Sequence, residues 1–130
     1  MNKTILVTAT VFGLTGIMLG AFGAHGLEKI VDQASVASFE TGVRYQMYHA
    51  LFLLFLGIWD GLDAKPRKLV FRLIWIGTVL FSFSIYLLSL NELTSIDFRK
   101  IGLITPIGGT ILIMGWALLG YYILAKKSDN

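Results

Sequence analysis

The chain has 130 residues, of which 55% are hydrophobic before its 14 glycines are counted and 15% are charged, and its mean hydropathy is +0.72. A soluble domain averages about 45–50% apolar with glycine included and about 25% charged, and a globule of this size buries only part of its chain's surface, so a soluble fold is excluded. Two prolines, no cysteines and a net charge of +3 exclude collagen-like, disulfide-stapled and thiolate-based classes, and no dense Lys/Arg stripe invites nucleic acid.

The remaining class is an all-α polytopic membrane protein. A hydrocarbon core of about 30 Å needs roughly 20 apolar helical residues at about 1.5 Å each. The first span covers residues 5–24. Lys3, the apolar run and Ala21-Phe22-Gly23 also resemble a signal peptide. Nothing downstream reads as a secreted domain, so an uncleaved span is expected. Gly13, Gly16, Gly20 and Gly23, with Ala9, make a small-residue seam on one face, which in lipid permits close helix approach. The seam predicts internal packing, with a homo-oligomer interface as the alternative. In residues 27–34, Leu27, Ile30, Val31 and Ala34 fall at helical spacing with charges opposite, predicting a short interfacial helix.

The second span covers residues 43–59, in a helix beginning near Ser35, a good N-cap type. The third covers residues 69–90. The fourth covers residues 105–124, with Thr105 as N-cap and Pro106 at the first helical position. No linker or repeat divides the chain, so residues 1–130 form one domain, an up-down bundle of four transmembrane helices. The N-terminus, second loop and C-terminus carry seven basic residues, Lys3, Lys65, Arg67, Lys68, Arg72, Lys126 and Lys127. The other side has four, Lys29, Arg44, Arg99 and Lys100. The positive-inside rule then places both termini in the cytoplasm. Trp59, Tyr121 and Tyr122 form an aromatic belt there, and the basic run from Lys65 to Arg72 meets anionic headgroups.

The second span carries most of the polar chemistry. At 100° per residue, Glu40, Thr41, Arg44, Tyr45, Tyr48 and His49 fall within about 180°, and Val43, Met47 and Ala50 lie opposite. The polar half is therefore expected to face the bundle and the apolar half the lipid. Glu40 and Arg44 are one turn apart and can pair. Arg44 lies about 22 Å and His49 about 15 Å above Trp59, depths at which ionisable groups are costly. Thr78, Ser82, Tyr86 and Ser89 make a hydroxyl stripe on the third span; Thr105 opens the fourth and His25 ends the first. An outward-facing polar pocket of His25, Glu40, Arg44, Tyr45, Tyr48, His49, Ser82, Tyr86 and Thr105 is expected. The bland alternative is an interfacial ion pair, aromatic anchors and hydroxyls bonded to their own helices.

Two histidines and one glutamate on different elements lack metal-ligand spacing, and no nucleotide, hydrolase or zinc motif occurs, so no metal, cofactor or enzymatic activity is expected.

Residues 19–27 (LGAFGAHGL), residues 39–50 (FETGVRYQMYHA), residues 105–109 (TPIGG) and Gly115-Trp116 resemble a family of small bacterial membrane proteins. It is known as domain of unknown function 423, and eukaryotic transmembrane protein 256 is similar. The resemblance covers essentially the whole chain. It implies a four-helix membrane protein and carries no catalytic residues. The expected function is a non-enzymatic bundle of the cytoplasmic membrane that binds lipid, a small ligand or a partner membrane protein. A small proton-coupled carrier, titrating at His49 behind a Glu40–Arg44 gate, is the alternative.

Overall fold

The computed structural model describes residues 1–126, so Lys127, counted above, lies outside them. Among the described residues every regular element is helical. Helix α1 is Lys3–His25, capped by Asn2, whose side-chain oxygen accepts from the Ile5 amide at 3.1 Å. Helix α2 is Gln33–Ile58. Helix α3, Ala64–Thr78, passes through a π-helical turn, Val79–Phe83, into α4, Ser84–Ser89. Helix α5 is Ile104–Ala125.

Three continuous helical segments are long and apolar enough to cross a membrane: Lys3–Lys29, Ala64–Ser89 and Phe98–Ala125. Helix α2 has 26 residues, about 39 Å of helix, but Gln33, Ser35, Ser38, Glu40, Thr41 and Arg44 make its first half polar.

Three local expectations are corrected. Asp32, not Ser35, caps α2; its carboxylate accepts from the Ser35 amide at 2.8 Å, and a carboxylate there also opposes the helix dipole. The interfacial helix shrinks to one 3-10 turn, Leu27–Lys29, because Leu27 is fully buried with Val36 and Phe39 instead of lying in a surface apolar face. Helix α5 begins at Ile104, so Pro106 is its third residue, where its missing N–H still removes no helical bond. The Thr105 hydroxyl sits 2.7 Å from Ser84 Oγ instead of capping its helix.

Neighbouring helices run antiparallel. Helix α1 packs on α2, α5 packs on α3 and the π turn, and α2 joins the two pairs through α3 and α4. The glycine seam faces α2. A Cβ at Gly16 would lie 2.6 Å from Met47 Sδ, one at Gly20 3.3 Å from Val43, and one at Gly23 3.1 Å from Phe39. Gly13 is the exception, with nothing within 4 Å of its Cβ position. The seam is thus internal packing from Gly16 onward. Below it, Phe12, Leu53, Leu56, Val70, Ile74 and Leu112 join all the long helices in one apolar core.

One end of the bundle is tied by charge and backbone carbonyls. The Met1 ammonium lies 3.2 Å from Asp60, and Arg67 lies 3.5 Å from the same carboxylate. Arg67 also donates to the Trp59 and Leu62 carbonyls at 2.9 and 2.8 Å, and Lys126 donates to the Gly61 carbonyl at 2.9 Å. The start of α1, the α2–α3 turn and the end of α5 therefore meet.

Candidate functional site

The inward face of α2 reads Val36, Phe39, Gly42, Gln46, Ala50 and Leu53, spaced three or four residues apart. Gly42 is needed where Tyr86 approaches, since a Cβ would lie 2.7 Å from that ring. One turn on, Gln46 has no exposed surface. Its amide nitrogen donates to the Phe12 carbonyl at 2.9 Å and to Thr15 Oγ1 at 2.8 Å, and its oxygen accepts from the Tyr86 hydroxyl at 2.7 Å. Both amide hydrogens and the carbonyl are engaged, so one side chain joins α1, α2 and α4. Ser82 adds a second bridge, donating to the Gly42 carbonyl at 2.8 Å. These groups are buried and mutually satisfied, which is the condition under which polar groups stabilise a core.

One turn further, His49 faces α5. Its Nδ1 lies 2.6 Å from the Tyr45 carbonyl, and Trp116 Nε1 lies 3.1 Å from its Nε2. Indole N–H only donates and a carbonyl only accepts. The pairing assigns the neutral imidazole with its proton on Nδ1, accepting at Nε2. Trp116 also packs edge-on against Phe52 at 4.6 Å between ring centres, and Tyr45 lies 4.9 Å from Phe81.

These rings wall a groove of about 580 Å³ between α2 and α5, lined by Tyr45, His49, Phe81, Gly109, Leu112, Ile113, Trp116 and Ala117. Its floor is set by the π turn. A Cβ at Gly108 would lie 2.5 Å from the Phe81 backbone nitrogen, so glycine is required for α5 to approach the widened turn. A π turn displaces helical hydrogen bonds; here the Ser84 hydroxyl donates to the Phe81 carbonyl at 2.9 Å. Ile113 and Trp116 are more than half exposed, so the groove opens sideways from the bundle.

The expected orientation of the polar half of α2 is reversed. Glu40, Arg44, Tyr45 and Tyr48 are exposed, whereas Ala50, assigned to lipid, is buried and Val43 and Met47 pack against α1. Close approach to the α1 glycines sets the rotation of α2, and that contact overrides the polarity of its first half. Among the described residues Glu40 and Arg44 form no ion pair with each other or with any other group. His25 ends α1 in an exposed position away from the groove. Ser82, Tyr86 and His49 do point inward, and Thr105 joins Ser84, so these four are buried or half-buried without forming a single pocket. Thr78 and Ser89 bond the carbonyls of Ile74 and Ile85 in their own helix. Gln46 and Trp116 were missed as site residues. Gln46 stands four residues after Gly42 and seven after Phe39, so the 3-4 spacing of the packed face was the available signal.

Comparison with known proteins gives the family. Residues 19–109 match the family described as protein of unknown function DUF423. A UPF0382 membrane protein of Staphylococcus saprophyticus is 38% identical over 117 residues, covering 90% of this chain and 93% of that one. A UPF0382 membrane protein of Haemophilus influenzae is 34% identical over 128 residues, covering 98% and 99%. The UPF0382 inner membrane protein YgdD of Escherichia coli K12 is 35% identical over 124 residues, covering 91% and 87%. No solved structure matches. The match to the family over most of the chain, together with relatives aligned nearly end to end, makes this helical membrane protein a member of the DUF423 (UPF0382) family.

Proposed function

We propose that this chain is a non-enzymatic, four-span protein of the cytoplasmic membrane that holds an apolar chain, such as a lipid acyl tail, in the lateral groove between α2 and α5. The observation that carries the reading is the groove itself: about 580 Å³, walled by aromatic and aliphatic groups, with the paired His49 and Trp116 as its polar edge. Concave, mostly apolar sites with few fixed polar groups are where small apolar ligands bind. A groove opening sideways from a membrane bundle meets lipid first. Counting α2 as the fourth span is supported by its length and by the meeting of Met1, Asp60 and Lys126 at one end, as an even number of crossings requires. The basic excess at that end supports its assignment to the cytoplasm.

The carrier alternative is weakened by His49, whose two ring nitrogens are both engaged in the neutral form. Protonation at Nε2 would remove the acceptor for Trp116. The direct test fills the groove with Ala117→Phe and compares lipid retained in mild detergent by native mass spectrometry. Ile123→Phe, on an exposed position outside the groove, is the control. Retained lipid should fall for the first and not the second, at unchanged helicity. Equal retention by both variants and the parent would refute the groove as a lipid site.

A further inference from the structure

Outside the groove, the first half of α2 leaves charges on a face that none of the described residues covers. Ala37, Thr41, Arg44, Tyr48, Leu51 and Phe55 follow one another at spacings of four and three residues. All are exposed except Thr41, which is half-buried. Arg44 lies about 22 Å of helix above Trp59, so its backbone sits inside a 30 Å hydrocarbon core that starts there. The packing places it equally deep. Val43 meets Gly20, five residues short of the end of α1, and Tyr45 packs on Phe81 beside Gly109, five residues into α5. Ionisable groups at such depth are costly unless they are paired. Glu40, one turn away and also exposed, has no partner in its own chain among the described residues.

We infer that this face of α2 is covered by a second copy of the chain in a two-fold dimer whose axis runs along the membrane normal. A 3-4 spacing is the seam of two nearly parallel helices crossing at about 20°. A two-fold interface presents the same patch twice, so Arg44 of each copy comes close to its own equivalent. That contact is repulsive alone. Glu40 removes the repulsion: it flanks the seam four residues, about 6 Å, further along the axis, within reach of the long guanidinium side chain of the second copy. Symmetry then forms the Glu40–Arg44 pair twice, with both charges neutralised across the interface. Ala37 and Thr41 are small enough to allow close approach at the same level. Below them Tyr48, Leu51 and Phe55, each about half exposed or more, provide the apolar remainder of the contact. The inference rests on α2 crossing the membrane, as proposed above, and not on the groove binding lipid.

The chain has no cysteines, so single cysteines report cleanly on the interface. Tyr48→Cys and Leu51→Cys should each cross-link under oxidation in native membranes to a species of about twice 14.4 kDa. Ile17→Cys and Ile113→Cys, exposed on α1 and α5, should not. In the Leu51→Cys background, Glu40→Arg or Arg44→Glu alone should reduce cross-linking several-fold, and the double reversal should restore it. Restoration separates charge pairing from misfolding, and circular dichroism of each variant checks helicity. The inference is overturned if neither seam cysteine cross-links, or if the single reversals leave cross-linking unchanged, as snorkelling to headgroups predicts. It is also overturned if a folded double reversal fails to recover, or if the seam cysteines link chiefly to another protein.

Discussion

Replacing Gln46 with Leu tests the polar seam at its centre. The substitution keeps the volume roughly constant and removes three hydrogen bonds, those to the Phe12 carbonyl, Thr15 and Tyr86. Interhelical hydrogen bonds in membrane proteins average about 0.6 kcal/mol each, so three account for about 2 kcal/mol. The Phe12 carbonyl and the Thr15 hydroxyl, which also donates to Val11, keep other partners. The Tyr86 hydroxyl loses its acceptor inside a ring site that is 5% exposed, where only the Ser82 hydroxyl, already donating to Gly42, lies within reach, and a stranded buried donor costs about 1–3 kcal/mol. The expected loss is therefore about 3–5 kcal/mol. Tyr86→Phe alone should cost about 1 kcal/mol, and the Gln46→Leu/Tyr86→Phe double variant should be more stable than Gln46→Leu by about 1 kcal/mol, since no donor is then stranded. Reversible unfolding in mixed micelles with increasing dodecyl sulfate measures all three. If the effects of the two single substitutions simply add in the double variant, the hydrogen bond does not couple these helices and the reasoning fails.

Other outcomes follow from the packing. Gly108→Ala should lower the melting temperature sharply, because its Cβ meets the Phe81 backbone, which cannot rotate away. Gly13→Leu should be tolerated, whereas Gly16→Leu should abolish folding or assembly, a contrast readable by size-exclusion chromatography in detergent. Trp116→Phe should keep the aromatic wall yet remove the hydrogen bond to His49 Nε2, so the nitrogen resonance of that ring atom should move while circular dichroism stays unchanged. At the start of α2, hydrogen bonds from the Ser35 side chain and then its backbone hold the Asp32 carboxyl below the ordinary carboxylate range. The folded form thus binds this proton less readily than the unfolded form. The cap contributes fully above the ordinary value and is lost as pH falls through the lowered one. Thermal melts between pH 6 and 3 should show a drop that Asp32→Asn reduces.

Composition alone required a membrane, since two-thirds apolar or glycine residues cannot be hidden in a chain of 130. Hydropathy and length marked α1, the α3–α4 segment and α5, because a span is a local property of about twenty consecutive residues. The glycines of α1 announced close packing for the same local reason. Helix starts were less legible: Asp32 and Ser35 are both good caps, and the choice depended on Leu27 finding a buried site between α1 and α2. The π turn has no mark in residues 79–83, since it reflects the fit of Gly108 against the Phe81 backbone.

The largest gap was the rotation of α2. Its sequence has two faces that look inward by different rules, a polar face that burial would hide from lipid and a 3-4 face of Phe39, Gly42, Gln46 and Ala50. Sequence alone determined that the helix is two-sided. Only the tertiary structure decided which side turns in, because among the described residues complementary partners exist for one face alone: Gly16, Gly20 and Gly23 accept its bulk, while Thr15 accepts from its one amide and Tyr86 donates to it. Contact between helices is worth more than the polarity of a face considered by itself. That choice leaves Gln46 at the centre of the bundle, His49 at the edge of the groove, and Glu40 and Arg44 outside.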